Sequence, residues 1–152
     1  MSNEYNKFVI RVYGLFINSH NEILLSDEFQ LNMKMTKFPG GGMQFGEGTR
    51  DCLRREIMEE MGQEIAITEH FYTTDYFQPA FFYDNYQLVS IYYLANFKNP
   101  LNFRVSSKPF DFPELKNGNM SFRWVSLAQL SEKEMTFPVD KKVVGLLKER
   151  FL

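Results

Sequence analysis

Four glutamates and one arginine stand at spacings that bear on chemistry: Glu47, then Arg55, Glu56, Glu59 and Glu60. On a helix turning 100° per residue, with Glu56 at zero, Glu60 falls at about 40° and Glu59 at about −60°. Three carboxylates therefore share one face. Arg55, at about −100°, flanks only one side of it. Like charges at i,i+3 and i,i+4 each cost roughly a few tenths of a kcal/mol on an exposed helix, and more where the dielectric is lower. Something must offset that repulsion. Hard oxygen donors in a cluster suit Mg²⁺ or Mn²⁺, and Mg²⁺ characteristically takes a few carboxylates together with phosphate oxygens of a substrate. Taken alone, the same residues also read as a solvated helix with an excess of Glu.

The helix that must carry this face is the clearest in the chain. Thr49 to Met61 holds no Gly or Pro and is rich in Leu, Arg, Glu and Met, and Gly62 is its natural stop. Leu53, Ile57 and Met61 form an apolar stripe beside the acidic face, which places that face at the edge of a core. Upstream, Lys7 to Ile17 is apolar at both odd and even positions and reads as a strand covered on both faces. Asn18 to Asn21 is turn chemistry, and Glu22 to Ser26 gives a second strand expected to form a hairpin with the first. Residues 30–37 have mixed polarity and lead into Phe38-Pro39-Gly40-Gly41-Gly42, a run that permits close backbone approach. Downstream, Glu64 to Phe77 and Tyr86 to Phe97 read as two strands with a hairpin marked by Pro79 and Asp84-Asn85. Met120 to Ser126 reads as another strand, and Pro138 opens a terminal helix. Residues 96–119, with three prolines and no periodicity, form either a border of the site or a short extra strand. This order is mixed α/β on one core, a single domain over 1–152.

The 152 residues carry 17 Lys plus Arg against 19 Asp plus Glu, a net charge of −2. Such a balance gives no long-range attraction to a nucleic-acid polymer or an anionic membrane. A small phosphorylated ligand is still compatible, because a metal ion supplies positive charge locally. One Cys and two distant His, His20 and His70, cannot close a structural zinc site, and a lone thiol suits a reducing compartment. No basic start followed by an apolar stretch opens the chain, and no apolar run approaches the ~20 residues that span a bilayer. A soluble, cytoplasmic protein is expected, with monomer and homodimer both open.

From Gly41 the chain reads Gly, five residues, Glu47, seven residues, then Arg55-Glu56-Ile57-Met58-Glu59-Glu60-Met61-Gly62. This resembles the Nudix box of the Nudix hydrolases. With average residue usage, a chance match at all these positions is on the order of 10⁻⁷. Gln63 departs from the pattern, which usually has an aliphatic residue there. The resemblance covers about residues 8–147, since Phe38 to Gly42 looks like the family's Pro-Gly-Gly entrance and Phe122 to Leu130 like its closing strand and turn.

The resemblance implies a Nudix-like α/β/α sandwich with a mixed central sheet. It implies that Glu56, Glu59 and Glu60 hold Mg²⁺, with Mn²⁺ as a substitute, joined by a main-chain carbonyl from Gly40 or Gly41. It implies that Glu47 pairs with Arg55 to brace the loop against the helix, and a guanidinium is a rigid fork suited to that role. The implied reaction is attack of water on phosphorus in a diphosphate linkage. The base that takes the water's proton varies within the family: Glu59 is the candidate inside the box, with Glu56 beside it in the catalytic set, and Glu114, or Asp111, is the candidate from the loop, where both also read as plain surface acids. Substrate choice is set outside the box. Pro79, sixteen residues after Gln63, tilts the expectation to ADP-ribose or a nucleotide sugar over nucleoside triphosphates. A nucleotide-sensing module of the same type would usually lose box glutamates, and an isoprenoid diphosphate isomerase would need a catalytic cysteine outside this helix.

Three further readings concern single residues. Arg11 interrupts an apolar strand, so it meets substrate phosphate, enters a structural ion pair or stands at an exposed strand end. Cys52, one turn before Glu56, reads as a small apolar filler. Tyr72, Phe77, Phe81, Phe82 and Tyr93 are the aromatics from which a nucleobase stack would be drawn, and neither His20 nor His70 has an evident partner.

Overall fold

The apolar runs build two sheets between two helices in a computed structural model that describes residues 4–152. The N-terminal reading for a leader falls partly on residues 1–3, outside the described residues. Strand β1 (Lys7–Phe16) pairs in parallel with β6 (Tyr86–Phe97) and antiparallel with the three-residue β4 (Gly40–Gly42), while β5 (Ile65–Thr73) pairs antiparallel with β6. That sheet has the order β4-β1-β6-β5. A second, antiparallel sheet has the order β3-β2-β7, formed by β3 (Met33–Lys37), β2 (Glu22–Gln30) and β7 (Met120–Ser126).

Alternate residues along the inner strands serve opposite helices. Val12, Phe16, Leu24, Tyr93 and Ala95 pack with Cys52, Leu53, Ile57 and Met61 of α1 (Thr49–Met61). Tyr13, Leu15, Ile23, Leu25 and Tyr92 pack with Val139, Val143, Val144 and Leu147 of α2 (Pro138–Phe151). This is the expected α/β/α sandwich, and it explains why β1 is apolar at successive positions. Helix α1 starts where the Asp51 carboxylate accepts the Gly48 N–H at 3.0 Å, and it ends where the Gly62 N–H reaches the Met58 carbonyl.

Four expectations change. β1 and β2 do not form a hairpin: both edges of β1 are taken, and only an Ile17–Ile23 bridge joins the two segments. β2 runs four residues past Ser26, and 33–37 is a strand, because the charges there are paired. Asp27 is fully buried and accepts from Arg123 Nε at 2.7 Å, and Lys37 lies 3.3 Å from Glu28. β5 stops at Thr73, so residues 74–85 form a long aromatic connection. Residues 98–119 contain no strand, only a parallel bridge from Val105 to Phe122. Gln63, the departure from the box, anchors this stretch. Its side-chain carbonyl accepts the Asn102 N–H at 2.7 Å, so a polar residue holds the loop where an aliphatic one would only pack.

Candidate active site

Helix α1 presents its acids over the edge strand β4. A Cβ at Gly41 would collide with the Glu56 carboxylate, so that carboxylate lies directly on the bare main chain of the glycine run. Gly40 has φ +148°, and a Cβ there would strike the Val12 carbonyl. The run therefore brings main chain against the acidic face at a distance that side chains would forbid.

Arg55 reaches further than the helical wheel implies. Its Nε donates to Glu47 at 2.9 Å and one terminal nitrogen donates to Glu47 at 2.7 Å and to the Gly42 carbonyl at 2.9 Å. The other terminal nitrogen donates to Glu56 at 3.0 Å and to Glu59 at 3.2 Å. The guanidinium thus spans three carboxylates and does not neutralise only one flank. Glu47 also accepts the Gln44 N–H, and with Arg55 first these contacts hold its carboxyl down at about 2.

The three box glutamates sit in unequal surroundings. Glu59 is well exposed and Glu56 is largely covered. Glu60 turns inward, and its Oε2 is buried with no hydrogen-bond partner. Burial, then the charge of Glu28, pushes the Glu60 carboxyl up to about 8; Lys37 opposes the shift and Glu56 adds to it. Among the described residues no three acids, His or Cys converge as a ready-made metal cluster. The donor set nonetheless fits a hard cation: an orphaned carboxylate oxygen, a second carboxylate against main chain, and only oxygen donors. Cys52 is buried beside Gly41, and burial pushes its thiol up to about 12, which agrees with a filler.

Beside this face opens a cavity of about 390 Å³, within the range of small-molecule sites. Arg11, Glu28 and Lys37 line it on one side. Arg11 stands opposite Gly42 in the β1–β4 register and donates to the Tyr13 hydroxyl at 2.5 Å, so its charge is held between the glycine run and the cavity. Phe81, Phe82 and Phe137 line it as well and touch one another edge to face. Of the five aromatics singled out from sequence, Phe81 and Phe82 therefore line the cavity, whereas Tyr72, Phe77 and Tyr93 do not. Tyr93 instead meets His70, which also pairs with Thr73 at 2.7 Å, so His70 has the partners that were not evident before.

The chain matches the family profile described as NUDIX domain over residues 7–147. It belongs to the Nudix family. No sequence match is found among curated proteins. Solved structures share the fold at low identity. A NUDIX hydrolase from Nitrosomonas europaea is 14% identical, with 95% of this chain and 90% of that one covered and a TM-score of 0.70. A MutT protein from Methanosarcina mazei is 18% identical, with 97% and 98% covered and a TM-score of 0.66. An ADP-ribose pyrophosphatase from Streptococcus suis is 15% identical, with 93% and 90% covered and a TM-score of 0.59.

In this Nudix chain the structure brings Glu47, Arg55, Glu56, Glu59, Gly40, Gly41 and Gly42 together and sets Arg11 beside them. It does not bring in Glu114. That residue lies exposed in the 98–119 stretch, where its main-chain carbonyl accepts from the Asn119 side-chain amide at 2.9 Å. Asp111 is occupied too: it accepts from Ser106 and from Arg104 at 2.7 Å, contacts that lower its carboxyl below the usual range. Sequence reasoning missed Glu28, Lys37 and Asp140. A detectable signal existed for the last, since Asp140 falls at i, i+3, i+4 and i+7 with Val143, Val144 and Leu147 and so interrupts the apolar stripe of α2.

Proposed function

We propose that the chain hydrolyses the diphosphate linkage of a nucleoside diphosphate joined to another group, in a reaction dependent on Mg²⁺. The observation that carries this reading is the Glu56 carboxylate lying against the Gly41 main chain, with the unpartnered Glu60 oxygen on the same helix and Arg11 lining the neighbouring cavity. Glu56, Glu59 and Glu60 with a main-chain carbonyl of Gly40 or Gly41 would hold the cation, with Mn²⁺ able to replace Mg²⁺. When bound, the cation screens phosphate charge and acidifies a coordinated water.

The remaining work falls to the chain's own groups. Arg11 neutralises and orients a phosphate as it passes from the cavity to the acidic face. Arg55 and Glu47 keep the loop and helix in register. Glu59, the most solvent-open of the three box acids, meets Arg55 through Oε2 alone, and its other oxygen receives the water's proton. ADP-ribose and nucleotide sugars are the favoured substrates, a tilt that rests only on the resemblance of Pro79's place, sixteen residues after Gln63, to that branch of the family. Nucleoside triphosphates are the rival substrates. The free, buried Cys52 supports a reducing compartment, the cytoplasm. Among the described residues no helix is long and apolar enough to cross a membrane.

The test is a panel of ADP-ribose, nucleotide sugars and nucleoside triphosphates incubated with Mg²⁺ and resolved by product. Cleavage to a nucleoside monophosphate and the phosphorylated second group supports the reading. No cleavage of any diphosphate by wild type, or equal cleavage by Glu60→Gln, refutes it.

A further inference from the structure

One cation on the cavity wall has no anion of its own. Arg11 is partly buried, and its Nε donates to the Tyr13 hydroxyl at 2.5 Å. Among the described residues neither of its terminal nitrogens is hydrogen-bonded, and no carboxylate comes within ion-pair distance. Glu28 and Glu56 act on it only from further off, and both are committed elsewhere: Glu28 to Lys37 and Ser26, Glu56 to Arg55. The other arginines pair with carboxylates or, like Arg50, stand exposed. Nor are the free nitrogens sealed in the core, where the orphaned side-chain atoms are oxygens of Glu60, Glu134 and Asp140. They open to the cavity that Arg11 lines. A partly buried cation without a counter-charge costs free energy that an anionic ligand would recover.

Tyr13 is the group that aims this cation. Its side chain is buried and stacks on Tyr92 with ring centroids 5.3 Å apart, and the Tyr92 hydroxyl is tied to Asp140 Oδ1 at 2.6 Å. The Tyr13 hydroxyl therefore has a fixed place, and a planar guanidinium held at Nε has its two other nitrogens fixed with it. One of them lies beside Gly42, 3.8 Å from where a Cβ there would stand. The hydroxyl accepts from Arg11, and its own hydrogen has no acceptor among the described residues. Tyr13 lines the same cavity as Arg11.

We propose that Tyr13 sets Arg11 as a receptor for one phosphate group of the substrate, with the free terminal nitrogens and the hydroxyl hydrogen donating to the phosphate oxygens. The inference rests on the nucleotide-hydrolase reading and adds to it the positioning residue that prepares the phosphate's place on the cavity side. Charge-assisted hydrogen bonds are strong and directional. Loss of the hydroxyl therefore weakens the hold on the phosphate and leaves the rest of the ligand as it was.

The probes are AMP, GMP, CMP and UMP, each compared with its own nucleoside by calorimetry in chelator, so that no cation on the acidic face contributes. Wild type should bind at least one nucleotide tenfold or more tighter than its nucleoside. Tyr13→Phe keeps the stacked ring and removes the hydroxyl; it should narrow that ratio to threefold or less and leave the Kd of the nucleoside unchanged. Arg11→Lys keeps the charge, loses the fork and should narrow the ratio likewise. A tyrosine that only held the fold would, when replaced, shift nucleoside and nucleotide alike. With Mg²⁺ and the diphosphate that wild type cleaves best, Tyr13→Phe should raise KM about tenfold and lower kcat less than threefold, the mark of an interaction made equally before and in the transition state. A ratio near one for all four pairs in wild type, or an unchanged ratio in folded Tyr13→Phe or folded Arg11→Lys, overturns the proposal. Hydrolysis is scored separately: a nucleotide preference that Tyr13→Phe abolishes, without cleavage of any diphosphate, would refute the hydrolase reading and leave the phosphate receptor standing.

Discussion

Asp140 makes a measurable demand on stability that depends on pH. The perturbation is Asp140→Asn, compared with wild type without nucleotide. In the fold, burial raises the carboxyl from 3.8 to about 6; the Tyr92 hydrogen bond and the charges of Lys37 and Arg11 oppose the rise, and Glu28 adds to it. A raised folded value means the native state holds its proton more tightly than the unfolded chain. The stabilisation is complete below the unfolded value and is lost as pH rises through the folded one. A rise of about two units at about 1.4 kcal/mol per unit gives a total loss of about 3 kcal/mol. About half of it, roughly 1.4 kcal/mol, falls between pH 5 and pH 7.5. Asn carries no such titration, so its stability relative to wild type should improve by about that amount over the interval. Urea melts of both proteins at pH 5, 6 and 7.5, with slopes checked to be equal, measure the difference directly. A difference between the two proteins that stays flat from pH 5 to 7.5 would show that Asp140 ionises normally, and the argument from its burial would fail.

The acidic face and its brace give three further expectations. Glu60→Gln should lower kcat by about two orders of magnitude with the fold intact by circular dichroism. Mg²⁺ at a hundredfold its Kd should stabilise wild type by about 2.7 kcal/mol, more at pH 8 than at pH 5 where protons compete; an equal shift in the Glu56→Gln/Glu60→Gln variant would place the ion elsewhere. Alanine at Glu47 or at Arg55 should lower melting temperature and activity together, and the double variant should be no worse than the more damaged single one. Strict additivity in that cycle would remove the brace.

What was legible in the sequence was whatever local patterning fixes. Helix α1 announces itself through its uninterrupted helix formers, its stop at Gly62 and its three-carboxylate face, and β1, β6 and β7 through runs of β-branched and aromatic residues. The second half of β2 and all of β3 were not legible, because Ser26-Asp27-Glu28 reads as polar and turn-like in any short window. The charges are made tolerable by partners elsewhere: Arg123 lies 96 residues from Asp27, and Lys37 reaches Glu28 only across the β2–β3 ladder. The same limit hid the cavity. Arg11, Lys37, Phe81 and Asp140 come from four segments, and only the sheet order brings them to one space. Arg11 could still be singled out, since one charge amid an apolar strand needs a reason to be there.

The glycine run separates the requirements of folding from those of the acidic site, and two neighbouring substitutions distinguish them. At Gly41 an added methyl meets the far end of the Glu56 side chain, which can swing away without moving the backbone. Gly41→Ala should therefore melt within a few degrees of wild type while displacing the carboxylate that lies on the main chain. Its Mg²⁺-induced rise in melting temperature should shrink to less than half. At Gly40 the methyl meets the Val12 carbonyl and the Tyr13 main chain, and φ of +148° is itself a conformation that costs a residue with a side chain about 1–3 kcal/mol. Gly40→Ala should therefore lose stability with or without Mg²⁺, since β4 has to move off β1 to accept it. Thermal melts of both variants in chelator and in Mg²⁺ decide the matter. If Gly41→Ala kept the full metal-induced shift, the contact between Glu56 and the bare main chain would not be what holds the site in shape, and only the bracing by Arg55 would remain to do so.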